Sequence, residues 1–489
     1  MPTSDSPNYD PYALPPEAIA EPPQSLWQAL RKIGPGIILA GSIVGSGELI
    51  LTTSLGAQYG YVFLWLILFS CVIKVFVQIE LGRYAISSGK PTLGALDALP
   101  GPRWRAHWLV WWWFFMLLCT VSQLGGMTGG VGQALNLAFP EVSQYVAGAI
   151  ESSAPSVAAK VTAQPEYPWT LLVCLTAILL LWSGGYRRVE FLTTLLVASV
   201  TLVTVACVVA LYWTDYAIRW DKALEGLKFL IPAAGLADAF GAFGITGVGA
   251  SELYSYPYFC LEKGYARFTG RADQTADWER RAKGWIRVMV LDAWVSMIVF
   301  TIATVAFYFM GAAVLHEQGL NPRGSAMIKT LSQMYIGPFG HWTQIVFLIG
   351  AGAVLFKTLY VSSAAHSRTM TDFLGLAGFT RVPDAATRGR YIRRFCVFFP
   401  ILALLLYVIV GEPRTMVLFG GVAQALTLPV IAGATVYLRY RDLDRRLAPG
   451  WLSDSLLWLA FVLLTAVAVY MAWDKLMGLI TLYSASGSS

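Results

Sequence analysis

Apolar residues in this chain gather into long continuous runs, separated by short segments that hold most of the charge. Eleven runs are long enough to cross a hydrocarbon layer of ~30 Å. Their limits are 33–56, 61–84, 106–138, 168–184, 188–214, 229–259, 284–312, 338–364, 392–411, 414–438 and 452–474. Barrel strands would be short and alternating, so continuous runs predict helices. The fold class expected is an all-α membrane protein of eleven transmembrane helices. The first 25 residues, rich in Pro, Ser, Asp and Glu, lack an apolar core, so no signal peptide is expected. Residues 1–28 read as a disordered cytoplasmic tail.

The basic residues orient these helices. Of the 35 Lys and Arg, 25 fall in connections on one side of the predicted membrane and eight on the other. Positive charge marks the cytoplasmic side. The N-terminus is therefore expected inside and, after eleven spans, the C-terminus outside. Localisation in a bacterial-type inner (plasma) membrane follows.

Composition agrees and excludes alternatives. Of 489 residues only 13% are charged, about half the ~25% of a soluble domain. The formal net charge of +6 is accounted for by topology, so no nucleic-acid partner is expected. Six Cys form no CxxC pair, which argues against a disulfide framework or a thiolate metal site. The four His (His107, His316, His341 and His366) are scattered and read as interfacial residues. Trp111, Trp112 and Trp113 read as lipid-facing bulk or interfacial anchors. No nucleophilic triad, phosphate loop or catalytic domain is visible, so the chain is not expected to be an enzyme and no cofactor is expected.

Two segments repeat at an offset of 204. Val44-Gly45-Ser46-Gly47-Glu48-Leu49 in the first run matches Val248-Gly249-Ala250-Ser251-Glu252-Leu253 in the sixth, and Gly60-Tyr61 matches Gly264-Tyr265. The first run points outward and the sixth inward, as two inverted five-helix repeats require. The expected organisation is residues 29–215 for the first repeat (spans 1–5), 216–440 for the second (spans 6–10), and 441–489 for an eleventh span with a short outer end. Gly41, Gly45 and Gly47 precede Glu48; Gly241, Gly244, Gly247 and Gly249 precede Glu252. Such clusters favour local unwinding, which frees backbone carbonyls and amides. A carboxylate within a span is costly unless paired or hydrated. Two at matched positions read as a binding site at the repeat interface. The competing reading is close packing through glycine with a structural glutamate.

With these features the chain resembles the Nramp metal-ion transporter family over roughly residues 33–440. The resemblance rests on Gly34-Pro35-Gly36 opening span one and Gly185-Tyr186-Arg187-Arg188-Val189-Glu190 between spans four and five. Span seven contributes Asp292 and Ala312-Ala313-Val314-Leu315-His316; span ten contributes Leu426-Thr427-Leu428-Pro429. It implies a LeuT-like fold with broken first and sixth helices and transport by alternating access. The departures fall at the site. Gly45, Ser46, Gly47 and Glu48 stand where the family has Asp-Pro-Gly-Asn. Gly249, Ala250, Ser251 and Glu252 stand where it has Met-Pro-His-Asn or a close variant. Leu124 and Met127 replace acids that the family implicates in proton movement, and Thr304 replaces an Asn. The chain is thus similar to a divergent, Nramp-related branch, near members that lack the Met and are associated with magnesium.

Without thioether or imidazole, the remaining ligands suit a hard ion. Glu48 and Glu252, backbone oxygens near Gly45 and Gly249, and the hydroxyls of Ser46 and Ser251 suit a partly hydrated Mg²⁺ or Mn²⁺ as transported substrate. Thr427 and Gln424 in span ten either reach a metal-bound water or bond between helices. The missing acids in span three predict transport without proton coupling. Lys74 and Lys357 also lie within spans, where each snorkels, pairs with a carboxylate or is neutral. Lys74 is placed to pair with Glu80 or a site glutamate; Lys357 is placed to stand in for a coupling cation. Contact of either lysine with Glu48 or Glu252 favours a different substrate, a small organic solute such as an amino acid, with a site glutamate carrying a coupling proton. A non-transporting membrane protein is the third class. The expected partners are the lipid bilayer and a small substrate, with the chain a monomer.

Overall fold

The computed structural model describes residues 12–486 apart from 184–185, 231, 233–234, 274 and 383. It is a helical bundle; one two-residue ladder, Arg103–Trp104 with Ala106–His107, is the sheet among the described residues. The first apolar run is broken in two. Helix α1 (Pro35–Ile43) starts with Pro at its first position and stops at Val44, whose ψ of 77° leaves the helical region. A π-helical turn (Gly47–Thr52) resumes the course and passes into α2 (Thr53–Tyr59). Next come α3 (Leu64–Ser88), α4 (Trp108–Ala138), α5 (Tyr167–Ser183) and α6 (Tyr186–Ala210). The sixth run is broken in the same way, into α7 (Leu236–Ile245) and α8 (Ala250–Lys263). Gly247 between them has φ +67°, a conformation that side chains with a β-carbon rarely adopt. The remaining helices are α9 (Ala276–Met310), α10 (Thr343–Leu376), α11 (Ala385–Val410), α12 (Pro413–Arg441) and α13 (Trp451–Ser486).

Each predicted run thus corresponds to a helix or a broken pair, but the expected count of eleven crossings is not established. Among the described residues eight helices are long and apolar enough to cross a membrane, and a ninth if Pro155–Ala163 and Tyr167–Trp182, bent by 93°, form one span. The halves α7 and α8, of 10 and 14 residues, are each too short to cross alone. The junction motif Gly185–Glu190, apart from its helical backbone from Tyr186 on, lies outside the described residues.

The two broken helices pack at the centre. Helix α4 lies against α10 and α12, α9 against α3, and α7 against α12. Glycine permits the last approach: a β-carbon on Gly244 would overlap the carbonyl of Gly421. Close packing through small residues replaces the hydrophobic driving force that lipid cannot supply. On the stretch read as a tail, residues from Tyr12 onward are seated. The Arg388 guanidinium lies 4.2 Å over the Tyr12 ring, and Trp285 donates to the Ala20 carbonyl at 2.9 Å.

Candidate substrate site at the helix breaks

Breaking a helix leaves orphan carbonyls on its first half and orphan amides on its second. Both breaks here are met by charges of matching sign. At the end of α1, Lys357 of α10 donates to the Val44 carbonyl at 2.6 Å. At the end of α7, Lys74 of α3 donates to the carbonyls of Phe243 and Thr246 at 2.6 and 2.7 Å. Ser70, one turn earlier on α3, donates to the same two oxygens. Beyond the first break, Glu48 reaches back to accept from the Gly45 amide at 3.2 Å, and its other oxygen accepts from Thr304 at 3.2 Å. Beyond the second, Glu252 lies in the first turn of α8 and folds toward Gly249. A β-carbon there would sit 2.5 Å from Glu252 Oε2. Cations at C-terminal ends and anions at N-terminal ends complement the helix dipoles.

The pairing open to Lys74, with Glu80 or a site glutamate, is not made in this arrangement. Neither lysine forms an ion pair with a carboxylate among the described residues; backbone carbonyls hold both. Glu80 pairs instead with Arg83 at 3.0 Å and with Arg439 at 3.9 Å. The contact that favours an organic solute, lysine to Glu48 or Glu252, is therefore not made.

A small polar cavity of ≈ 20 Å³, the room of an ordered water, opens between the breaks. Ser42, Ser46, Ser251, Glu252 and Gln424 are in its wall, with Gln123, Thr358, Ser362 and His366. Ser42 donates to Glu252 Oε1 at 2.7 Å. Gln424 accepts from the Ser251 amide at 3.0 Å and donates to Gln123 at 3.0 Å, so it fixes the start of α8 against α4. Leu124 and Met127 also line the cavity and give that wall an apolar patch.

Not every expected residue meets here. Glu48 is fully buried but is not in the cavity wall; its carboxylate points to the Gly45 amide and Thr304. The two glutamates therefore do not face each other across this cavity. Thr427 is also away from it: its hydroxyl donates to the Ala423 carbonyl and accepts from Trp112 Nε1 at 3.2 Å. Trp112 is thus anchored to α12 rather than serving as lipid-facing bulk alone, and Trp113 is buried beside Tyr254. Among the described residues, no three or more His, Cys, Asp or Glu side chains converge. The residue that sequence reasoning missed is His366. It is 5% exposed, lines the cavity, and lies 3.1 Å from Ser251 Oγ through Nε2. Only the pairing of α10 with α8 brings it there; nothing local in the sequence signals it.

Solved structures share this architecture. A mutant of the Eremococcus coleocola manganese transporter superposes with a TM-score of 0.64 at 15% identity, covering 94% of this chain and 90% of that one. MhsT in complex with L-phenylalanine gives 0.52 at 13% identity, covering 93% and 99%. The fold is LeuT-like, with the first and sixth apolar runs each broken into two helices. In sequence, the model described as Natural resistance-associated macrophage protein-like matches residues 36–474. The chain belongs to the Nramp family, whose members are transporters and not enzymes. It is 24% identical to the divalent metal cation transporter MntH of Bacillus subtilis (strain 168) over 456 residues, covering 90% of this chain and 92% of that one. With MntH of Caldanaerobacter subterraneus subsp. tengcongensis the identity is 24% over 350 residues, covering 71% and 72%.

Proposed function

We propose that this chain moves a divalent metal cation, Mg²⁺ or Mn²⁺, across a bacterial-type inner membrane by alternating access, with its N-terminus cytoplasmic. The observation that carries this reading is the Glu252 carboxylate in the wall of a cavity whose other polar groups are hydroxyls, amides and the His366 imidazole. Oxygen ligands of this kind suit hard divalent ions that keep part of their water. The names of the MntH relatives support the same class of substrate. Glu252 is the direct carboxylate ligand, with Ser42, Ser46, Ser251 and Gln424 around it. Glu48, with Gly45, Gly249 and Thr304, shapes the break and its field.

Transport is uncoupled from protons and driven by membrane potential, worth ~2.3 kcal/mol per charge per 100 mV. The apolar side chains of Leu124 and Met127 support this, because they offer no proton acceptor on that wall. The test is flux of Mg²⁺ and Mn²⁺ into proteoliposomes for wild type and Glu252→Gln. Wild-type flux above empty liposomes, lost in the variant, is expected. Wild-type flux equal to empty liposomes overturns the metal reading. Acidification of the lumen in step with metal entry overturns the uncoupled mechanism.

A further inference from the structure

The walls of the cavity contain an imidazole that the oxygen-ligand account does not use. The His366 imidazole is buried, and its Nδ1 has no hydrogen-bond partner among the described residues. Its Nε2 is 3.1 Å from Ser251 Oγ. The ring lines the cavity at the breaks and also a second, smaller one of ≈ 10 Å³ beneath it. Ser42, Ser251, Glu252, Ser362 and His366 belong to both cavities, so one polar strip runs from the break down between α1, α8 and α10. Glu252 accepts from Ser42 on this strip, and Ser42 is 3.2 Å from Ser362 Oγ.

We infer that His366 is a ligand of the transported cation, so that the site holds a metal through one imidazole nitrogen, one carboxylate and neutral oxygens. This inference rests on the metal reading above and specifies its substrate. A ligating histidine fixes its ring by giving the other N–H to an oxygen. Ser251 Oγ is placed to take the Nε2–H, which leaves the Nδ1 lone pair free in a buried polar strip. An unpaired polar atom in such a place is costly unless a ligand or ordered water completes it. Imidazole adds affinity for first-row transition ions and little for Mg²⁺ or Ca²⁺, which bind oxygen. The preferred cargo is therefore Mn²⁺ and its first-row neighbours, selected against the more abundant alkaline-earth ions.

The test uses the full-length, tag-free protein with Mn²⁺ alone as probe. Electron spin echo spectroscopy of bound Mn²⁺ in the wild type should show ¹⁴N modulation from imidazole, lost in His366→Ala. In proteoliposomes the wild type should move Mn²⁺ against a tenfold excess of Mg²⁺. The ratio of Mn²⁺ to Mg²⁺ flux should fall at least tenfold in His366→Ala. Ser251→Ala keeps the imidazole but loses its orienting hydroxyl, and should lower the ratio less. Absence of nitrogen modulation in the wild type, or an unchanged flux ratio in His366→Ala, overturns the assignment while leaving divalent transport intact. A wild type that binds and moves no divalent ion overturns both.

Discussion

Lys357 and Glu48 grip the two poles of a single peptide group. The ammonium of Lys357 donates to the Val44 carbonyl, and the amide on the other side of that peptide bond, from Gly45, donates to Glu48. An acid and a base in the middle of a membrane protein are thus joined through the backbone of a broken helix. Replacing Lys357 with Met leaves the buried Val44 carbonyl without its donor. The expected cost is about 3 kcal/mol, as for removing one partner of a buried charged contact. Glu48→Gln should cost less, because the amide oxygen still accepts from Gly45. The double variant should be more stable than the sum of the singles by about 1 kcal/mol, since the two share one peptide. Thermal unfolding of the four proteins in detergent measures this cycle; strictly additive shifts would disprove the coupling.

The same logic at the second break bears on ion dependence. Unwound carbonyls at half-helix C-terminal ends are where LeuT-like transporters hold monovalent cations. Here the ends of α1 and α7 already carry tethered ammonium groups from Lys357 and Lys74. Flux should therefore be unchanged when Na⁺ is exchanged for K⁺ or choline at constant ionic strength. Lys74→Met exposes the carbonyls of Phe243 and Thr246, and should acquire a rise in melting temperature on adding Na⁺ that the wild type lacks. A wild type that requires Na⁺ would contradict the assignment of the two lysines.

These contacts also show where sequence reasoning reached its end. The offset of 204 put Glu48 and Glu252 beside helix breaks, and both do stand in the first turn after one. Gly34-Pro35-Gly36 and Asp292 were singled out from different spans, and they meet in space. The partners of Lys74 and Lys357 were not legible, because backbone carbonyls are supplied by every residue type and leave no mark in a sequence. The difference between the glutamates was also hidden. Matched positions say that each carboxylate follows a break, but the rotation of the π-helical turn against α9 decides which one faces a cavity. His366 was passed over for the same reason: a lone histidine on an apolar helix gains meaning only from the helix packed against it.

Gly45 offers a steric test of the first break. A β-carbon there would overlap the Thr358 hydroxyl and lie 2.8 Å from Thr358 Cβ, both on α10. Gly45→Ala must push α10 away or straighten the broken helix, and either displaces the peptide held by Lys357 and Glu48. Transport should fall at least tenfold. Thr358→Gly removes every atom in conflict, so Gly45→Ala with Thr358→Gly should recover part of the flux. The recovery is limited by the ~1 kcal/mol that glycine costs within a helix. Proteoliposome flux at matched reconstitution checks this. An unimpaired Gly45→Ala would mean that α10 does not approach the break so closely.

The last prediction concerns the other end of α1. Its first turn has no capping side chain of its own, since Gly34 precedes Pro35. Asp292 on α9 supplies the missing acceptors: one oxygen takes the Gly34 amide at 2.9 Å and the other the Gly36 amide at 2.5 Å. Tyr256 of α8 also donates to this carboxylate, at 3.3 Å, so α1, α8 and α9 share one anion. Gly36 is required for the approach, because a β-carbon there would lie 2.6 Å from Ser296 Oγ and 2.7 Å from the Asp292 carbonyl. Asp292→Asn keeps the shape but exchanges one acceptor for a donor facing an amide. It should destabilise the fold by about 1–2 kcal/mol, the range for loss of a helix cap. Amide hydrogen exchange offers the local reading. Protection should drop in residues 34–40 while α12 is unaffected, and a uniform loss across the bundle would show that Asp292 supports the whole fold rather than the anchoring of α1.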